Sequence, residues 1–143
     1  MPTRRSTARW EGGLKGGKGS FKGESGAIGG QYSFSSRFEE GVGSNPEELI
    51  AAAEAACFSM ALSGNLEKNG TPPTSIDTEG ACTVGPVDGV STISAIALKV
   101  SAVVPGIDDA KFQEIARQTA ETCPVSRAFK GNVAITVDAK LAS

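Results

Sequence analysis

Three runs of alternating apolar and polar residues in the second half of the chain predict half-buried β-strands. The first runs from Thr74 to Val84, the second follows Gly89, and the third starts at Val133. We predict that the first two strands are neighbours joined near Gly85-Pro86. The residues that share the inward face are Ile76, Thr78, Gly80, Cys82 and Val84 in the first run, Ile96, Leu98, Val100, Ala102 and Val104 in the second, and Val133, Ile135, Val137, Ala139 and Leu141 in the third.

The N-terminal part of the chain is rich in glycine, with nine of the eighteen glycines between residues 12 and 30. Gly12-Gly13 and Gly16-Gly17 are typical of hairpin turns. They predict a strand near Arg5 to Glu11, a second near Lys18 to Gly23, and a further one near Gln31 to Ser36. A flexible linker is the alternative, and five aromatic side chains favour packed strands instead: Trp10, Phe21, Tyr32, Phe34 and Phe38.

A long helix is predicted to start at Asn45 and Pro46. Asn45 is a suitable N-cap residue, proline is favoured at the first helical position, and two acidic residues follow in the first turn. Between Leu49 and Leu62 the only charged residue is Glu54, so this helix is apolar nearly all round. We expect a long, buried central helix that ends by Gly70.

A second helix is predicted to open at Asp108, with Phe112, Ile115, Ala116 and Thr119 facing inward. Cys123 continues this stripe, and Pro124 stops the helix or restarts it. The order is three strands, a long helix, two strands, a helix and a strand, which is typical of an α+β fold with antiparallel sheets. The length of 143 residues predicts one domain, residues 1–143.

Composition excludes several functions. The chain has no histidine, which removes the Cys-His dyad, the Ser-His-acid triad and imidazole metal sites. The net charge of −2 argues against nucleic acid as a partner. No stretch approaches 18 apolar residues, so no membrane span is expected. The N-terminal segment lacks the apolar run of a signal peptide. Three cysteines in a chain without an export signal point to a reducing, cytoplasmic location.

The three cysteines differ in their surroundings. Cys57 and Cys123 lie on inward faces of the two predicted helices, and a pair can form if their Cα atoms approach within about 4.4 to 6.8 Å. Cys123 precedes a proline, where its sulfur can cap the next helical turn and be stabilised as a thiolate. The alternative for each is an inert, buried thiol, and for Cys82 that alternative is favoured.

A nucleophilic thiol in this chain needs a cation. An ordinary thiol is only about 3 % ionised at pH 7, and apolar burial lowers that fraction. Arg37, flanked by Phe34 and Phe38, is the best candidate, and an acid can orient its guanidinium through paired hydrogen bonds. The alternative for Arg37 is an ordinary surface charge.

Three segments carry a family resemblance that runs from about Arg9 to Leu141. The chain resembles the osmotically inducible protein C (OsmC) family, related to organic hydroperoxide resistance proteins, in Asn45-Pro46-Glu47-Glu48-Leu49-Ile50 through Ala55-Ala56-Cys57-Phe58-Ser59-Met60-Ala61-Leu62, in Val104-Pro105-Gly106-Ile107-Asp108 and in Cys123-Pro124-Val125-Ser126. The resemblance implies a thiol-dependent peroxidase that forms an intertwined homodimer with active sites at the subunit interface. It implies that Cys57 is the peroxidatic cysteine, Cys123 the resolving cysteine, Arg37 the activating arginine and Glu47 its carboxylate partner.

The resemblance also implies the reaction. Cys57 attacks an organic hydroperoxide, hydrogen peroxide being a weaker substrate, and Cys123 closes a disulfide that a dithiol such as dihydrolipoamide or a lipoylated protein reduces. No cofactor and no metal are expected. The alternatives are a non-catalytic redox sensor, a small-ligand binding protein using the same cysteines, and a three-thiol metal site, which the absence of any C-x-x-C pair disfavours.

Helix geometry limits how these residues meet. Glu47 precedes Cys57 by ten residues, about 15 Å along a continuous helix, so the two cannot touch within one straight helix. Either the chain bends near Pro46, or a partner chain helps to complete the site.

Overall fold

A computed structural model describes residues 1–142. The chain forms two compact units, residues 1–49 and the residues from Ile50 onward. The single domain expected for residues 1–143 stays a prediction. In residues 1–142 the elements are β1 (Ser6–Glu11), β2 (Lys18–Gly23), β3 (Gly29–Tyr32), α1 (Phe34–Phe38), α2 (Pro46–Lys68), β4 (Ser75–Val87), β5 (Val90–Val103), α3 (Asp109–Thr122), α4 (Pro124–Phe129) and β6 (Ala134–Ala142).

The first unit is built on an antiparallel sheet in the order β1-β2-β3. Its β1–β2 hairpin confirms the turn predicted around the paired glycines. Aromatic side chains pack on the sheet, with the Trp10 and Tyr32 ring centroids 5.4 Å apart and those of Phe21 and Tyr32 6.1 Å apart. These contacts favour packed strands over a linker.

The strand predicted over Gln31 to Ser36 is wrong in its second half. β3 ends at Tyr32, and α1 begins immediately afterwards. Ser33 caps this helix: its side chain accepts from the backbone of Ser36, whose hydroxyl accepts from the Ser33 backbone N–H. Such a reciprocal capping box stabilises a helix start where alternation alone suggests a strand.

The second unit contains a three-stranded sheet in the order β4-β5-β6. The predicted inward faces are confirmed: the β5 residues Ile96, Leu98, Val100 and Ala102 are buried, and their partners on β4 and β6 are less exposed than the residues between them. The turn between β4 and β5, predicted near Gly85-Pro86, lies further along the chain. β4 continues through Gly85 to Val87, and the chain reverses at Asp88 and Gly89, both with positive φ. Asp-Gly favours this two-residue hairpin turn.

The second sheet is mixed, not antiparallel as predicted. β4 and β5 are antiparallel, whereas β5 and β6 are parallel. The connection from β5 to β6 contains α3 and α4, and a crossover of this kind returns the chain to the same end of the sheet. The alternating pattern of β6 specifies its buried face but carries no information about strand direction.

The long helix α2 starts where the sequence predicts. The Glu48 backbone N–H donates to Asn45 Oδ1 at 2.8 Å, Pro46 is the first helical residue, and α2 ends at Lys68 before Gly70, which has a φ of 81°. By length and composition alone, α2 is long and apolar enough to span a membrane. The expectation that the chain contains no such segment is therefore wrong.

Only one face of α2 is buried within the chain, so the expectation of burial all round is not met there. Phe58, Leu62 and Leu66 are fully buried, whereas Met60 is 81 % exposed. The buried side chains join the inward face of the second sheet and Phe112 and Ile115 of α3 in one core. The α3 prediction is confirmed, including the Asp108 cap, which accepts from the Lys111 N–H at 2.8 Å.

Gly80 of β4 lies close to the backbone of α2. A Cβ added there would lie 2.7 Å from the Ala51 carbonyl oxygen. We expect Gly80→Ala to lower the free energy of unfolding by about 1–3 kcal/mol, because the backbone of α2 must shift to relieve the clash. Urea denaturation measures this change.

Gly85→Ala is the matched control, since it lies on the same strand and an added Cβ meets no atom within 4 Å. It should change stability by no more than about 0.5 kcal/mol. Both substitutions restrict the unfolded chain in the same way, so their difference isolates the contact with α2. Equal effects of the two substitutions would contradict the close-packing interpretation.

Candidate active site

The second unit brings Cys57 and Cys123 together. Cys57 lies on α2, and Cys123 lies between α3 and α4, where it ends one helix and precedes the other. The Cys123 thiol donates to the Cys57 sulfur, with the two Sγ atoms 3.0 Å apart. This is about 1 Å longer than a disulfide bond, so a small movement suffices to join them. Cys57 is half-buried and Cys123 is fully buried.

The surroundings of Cys57 disfavour its thiolate. Burial is the largest cause that raises the pKa of the Cys57 thiol, followed by the contact with Cys123. The charge of Glu54 raises this pKa further, and a backbone hydrogen bond from Val125 lowers it. Within residues 50–142, the groups that act on this thiol include no cation.

The predicted capping role of Cys123 is wrong. Cys123 does occupy the N-cap position of α4, and Pro124 restarts the helix, but the Cys123 sulfur makes no capping hydrogen bond. The backbone hydrogen bond of Val125 goes to Cys57. The first turn of α4 thus acts on the sulfur of the facing helix, which sequence spacing does not reveal.

Glu54 and Ser126 form a second link between the same elements. Glu54 is fully buried and lies three residues before Cys57 on α2, and Ser126 lies three residues after Cys123. The Ser126 hydroxyl donates to Glu54 Oε1, and Glu54 Oε2 has no hydrogen-bond partner among residues 1–142. The sequence signal for this contact is that Glu54 is the only charged residue between Leu49 and Leu62.

A third link joins α2 to α3 beyond the cysteines. The Asn65 amide donates to Thr119 Oγ1 at 3.0 Å, and Thr119 donates in turn to the Ile115 carbonyl at 2.8 Å. The sulfur pair is therefore bracketed by two polar contacts, one toward each end of α2. Because such side-chain contacts have directional requirements, they fix the register of α2 against the α3–α4 junction.

The first unit brings Arg37 and Glu47 together. Arg37 Nη2 donates to Glu47 Oε1 at 2.7 Å, and Arg37 Nε lies 3.1 and 3.2 Å from the two carboxylate oxygens. The guanidinium also lies over the Phe38 ring, 5.1 Å from its centroid. Glu47 is 6 % exposed, so the pair is partly desolvated and rigid. The pair has no net charge, and it holds the Arg37 guanidinium in a fixed position.

The third cysteine is part of the core packing. Cys82 is half-buried, pairs with Ile96 in the sheet and packs against the core cluster. No group of three or more His, Cys, Asp or Glu side chains suited to a metal ion occurs in the part of the chain that the structure describes. The three-thiol metal alternative gains no support from this arrangement.

Removing Arg37 should destabilise the protein. In Arg37→Ala the Glu47 carboxylate stays buried without its partner, and we expect the free energy of unfolding to fall by about 1–3 kcal/mol. Urea denaturation at low salt measures the change. Arg9→Ala is the control because its pair with Glu11 is exposed, at 75 % and 51 % of the side chains, and it should lose at most about 1 kcal/mol. Equal losses would contradict a buried role for Glu47.

Comparison with known proteins agrees with this architecture. The model of the family described as OsmC-like protein matches residues 39–138. The chain is 48 % identical to peroxiredoxin OsmC of Escherichia coli (strain K12) over 141 residues, 98 % of this chain and 97 % of that protein. It is 31 % identical to an organic hydroperoxide resistance protein of Xanthomonas axonopodis pv. citri over 98 residues, 68 % of this chain and 67 % of that protein. The structure of the organic hydroperoxide resistance protein OhrB of Bacillus subtilis matches with a TM-score of 0.78 and 28 % identity, covering 96 % of this chain and 98 % of that one. The chain therefore belongs to the OsmC-like protein family.

Proposed function

We propose that this protein is a thiol-dependent peroxidase that reduces organic hydroperoxides to alcohols. The observation that carries the proposal is the 3.0 Å contact between the Cys57 and Cys123 sulfurs. Two thiols at this distance can be oxidised to a disulfide without unfolding either helix. The relatives named peroxiredoxin and organic hydroperoxide resistance protein support an oxidoreductase of this type.

In the first proposed step the Cys57 thiolate attacks the distal peroxide oxygen. An S–O bond forms and the O–O bond breaks, so that the alkoxide leaves and takes up a proton to become the alcohol. Cys57 is thereby oxidised to a sulfenic acid. Cys57 is the more exposed of the two paired cysteines, which favours it as the sulfur that meets the substrate.

In the second proposed step the Cys123 sulfur attacks the Cys57 sulfenic acid. An S–S bond forms, the S–O bond breaks, and water is released. The disulfide is then reduced by an external dithiol, for which we propose dihydrolipoamide or a lipoylated protein. A dithiol suits this role because it exchanges with a disulfide and closes its own ring.

Arg37 is the proposed activating cation. Its Nε and Nη2 are held by Glu47, and no hydrogen bond occupies Nη1 among residues 1–142. An arginine fixed in this way can direct its remaining donor and its charge at a thiolate or a peroxide oxygen. This charge would offset the burial that raises the pKa of Cys57.

We propose further that Arg37 and Glu47 act on Cys57 of a partner subunit in an intertwined homodimer. α2 is continuous from Pro46 to Lys68, so the rise of about 15 Å over ten residues applies to Glu47 and Cys57 of one chain. The exposed side of α2 supports a partner there, since Ala52, Ala53, Ala56 and Met60 are exposed apolar residues. Water-exposed apolar surface of this kind favours association.

The proposed substrates carry an apolar group. The residues one turn from Cys57 on the same side of α2 are Ala53 and Ala61, which offer van der Waals contact but no hydrogen bond from their side chains. An organic hydroperoxide gains from such a surface and hydrogen peroxide does not. We place the reaction in the cytoplasm, where thiols stay reduced between turnovers.

Replacing the two cysteines tests the proposal. We expect Cys57→Ser to abolish turnover of cumene hydroperoxide with dihydrolipoamide, because the nucleophile is lost. Cys123→Ser should form the Cys57 sulfenic acid, trapped by dimedone, and should lose disulfide-dependent turnover. Peroxide consumption in a steady-state assay and mass spectrometry of the trapped protein measure the two effects.

Cys82→Ser is the matched control and should retain turnover, because the proposed reaction does not use this sulfur. Undiminished activity of Cys57→Ser would refute the peroxidase assignment. Oxidation of the wild-type protein that stops after one equivalent of peroxide in excess dithiol would instead favour the redox-sensor alternative.

A mixed dimer tests the shared site. A heterodimer of one Cys57→Ser chain and one Arg37→Ala chain, isolated with two affinity tags, contains one complete site only if Arg37 acts on the partner's cysteine. We then expect roughly half the wild-type activity, since one of two equivalent sites is intact. An inactive heterodimer would show that Arg37 acts within its own chain, without affecting the assignment of Cys57.

A further inference from the structure

Glu54 is a buried acidic residue that the proposed reaction leaves unused. Its side chain is fully buried, Oε1 accepts from the Ser126 hydroxyl, and Oε2 has no hydrogen-bond partner in the residues described, 1–142. An unpaired buried carboxylate oxygen is unfavourable, because it has lost its hydration without gaining a donor. We therefore look for a hydrogen-bond donor that reaches Oε2 at another stage of the reaction.

The position of Glu54 points to the sulfur pair as the source of that donor. Glu54 precedes Cys57 by three residues on α2, and Ser126 of α4 follows Cys123, the N-cap residue of α4, by three residues. Residues at this spacing are neighbours on a helix, about 5–6 Å apart at their Cβ atoms. The Glu54–Ser126 contact is therefore next to the contact between the sulfurs, and the charge of Glu54 acts on Cys57.

We propose that Glu54 accepts the proton of the Cys123 thiol when the Cys57–Cys123 disulfide closes. This inference rests on the proposed function and deepens its second step. The Cys123 sulfur forms the S–S bond and is oxidised, while the Cys57 sulfur loses its S–O bond and is reduced. Glu54 Oε2 takes the thiol proton and passes it to the departing hydroxide, which leaves as water. The carboxylate is regenerated, and no further reactant is needed.

The chain offers few other groups for this task. It has no histidine, and the titratable groups that act on Cys57 within residues 50–142 are Cys123 and Glu54. Ser126 has a separate role in the proposal. By holding Oε1, it leaves Oε2 as the atom that receives the proton. Ser126 is thus a positioning residue for Glu54.

The same carboxylate acts against the first step. Its charge raises the pKa of Cys57, so it reduces the thiolate that attacks the peroxide. A residue needed only for packing would affect both steps in the same direction. Opposite effects on the two steps are therefore a signature of proton transfer by Glu54.

A single-turnover experiment with Glu54→Gln tests the proposal. Glutamine keeps the size of the side chain and an oxygen for Ser126, but it accepts no proton at neutral pH. The reduced homodimer is mixed with one equivalent of cumene hydroperoxide, quenched at intervals and analysed by mass spectrometry. We expect Cys57 sulfenic acid to form at least as fast as in the wild type, and disulfide closure to slow by about 100-fold, the typical contribution of a positioned acid or base.

The pH dependence provides a second readout. We expect the closure defect of Glu54→Gln to shrink as pH rises, because hydroxide then removes the proton that Glu54 would have taken. Glu67→Gln is the matched control: it removes one acidic residue from the same helix at an exposed position, and both steps should proceed at wild-type rates. A Ser126→Ala variant, which keeps the carboxylate, should slow closure less than Glu54→Gln does.

Each outcome bears on one of the two proposals. Wild-type closure by Glu54→Gln at neutral pH would overturn the role of Glu54, as would equal slowing of both steps at every pH. In either case the wild-type protein would still form sulfenic acid and disulfide, so the peroxidase assignment would stand. If the wild-type protein forms neither species, the peroxidase assignment fails and the role of Glu54 falls with it.

Discussion

The contact between α2 and the α3–α4 junction is the constraint on which the proposed chemistry depends. It joins two sulfurs that are 66 positions apart in the sequence and holds them 3.0 Å apart. The apolar core alone does not fix that distance, because side chains such as Leu62 and Phe112 tolerate sliding more readily than hydrogen-bonded pairs do. Glu54–Ser126 on one side and Asn65–Thr119 on the other supply the missing directional contacts.

Burial of the sulfur pair creates an electrostatic problem. Packing brings the two thiols together, but burial raises the pKa of Cys57, and the charge of Glu54 raises it further. Among the described residues of the second unit, a backbone hydrogen bond from Val125 lowers the pKa of Cys57. The rigid guanidinium of Arg37, set by Glu47 in the first unit, has the charge that the proposed mechanism requires.

The character of α2 explains how one helix can serve both packing and chemistry. Its buried face completes the core of the second unit, its polar residues Glu54 and Asn65 fix the register, and its remaining apolar side chains are exposed in the single chain. A helix that is apolar nearly all round has more than one face to bury. In the proposed homodimer, a partner subunit covers the exposed apolar face of α2, which no further element in residues 50–142 covers.

Local sequence patterns determined most of the elements. The Asn45–Pro46 start of α2, the Asp108 cap of α3 and the inward faces of β4, β5 and β6 follow from capping and alternation, since these depend on residues only a few positions apart. Capping chemistry also decided α1, although alternation around Tyr32 favoured a strand. The residue types of the candidate site were equally visible, because a chain without histidine leaves few groups for acid-base or thiol chemistry.

Tertiary structure decided the rest. The direction of β6 depends on where the crossover returns the chain, and alternation is the same for both directions. The recipient of the Val125 N–H is Cys57 rather than Cys123, because the facing helix brings its sulfur to that amide. The charge of Glu54 was visible in the sequence, but only the packing of α2 on α4 gave it Ser126 as a partner and left its other oxygen buried without a partner among residues 1–142. Contacts of this kind join residues far apart in the chain, so no local pattern encodes them.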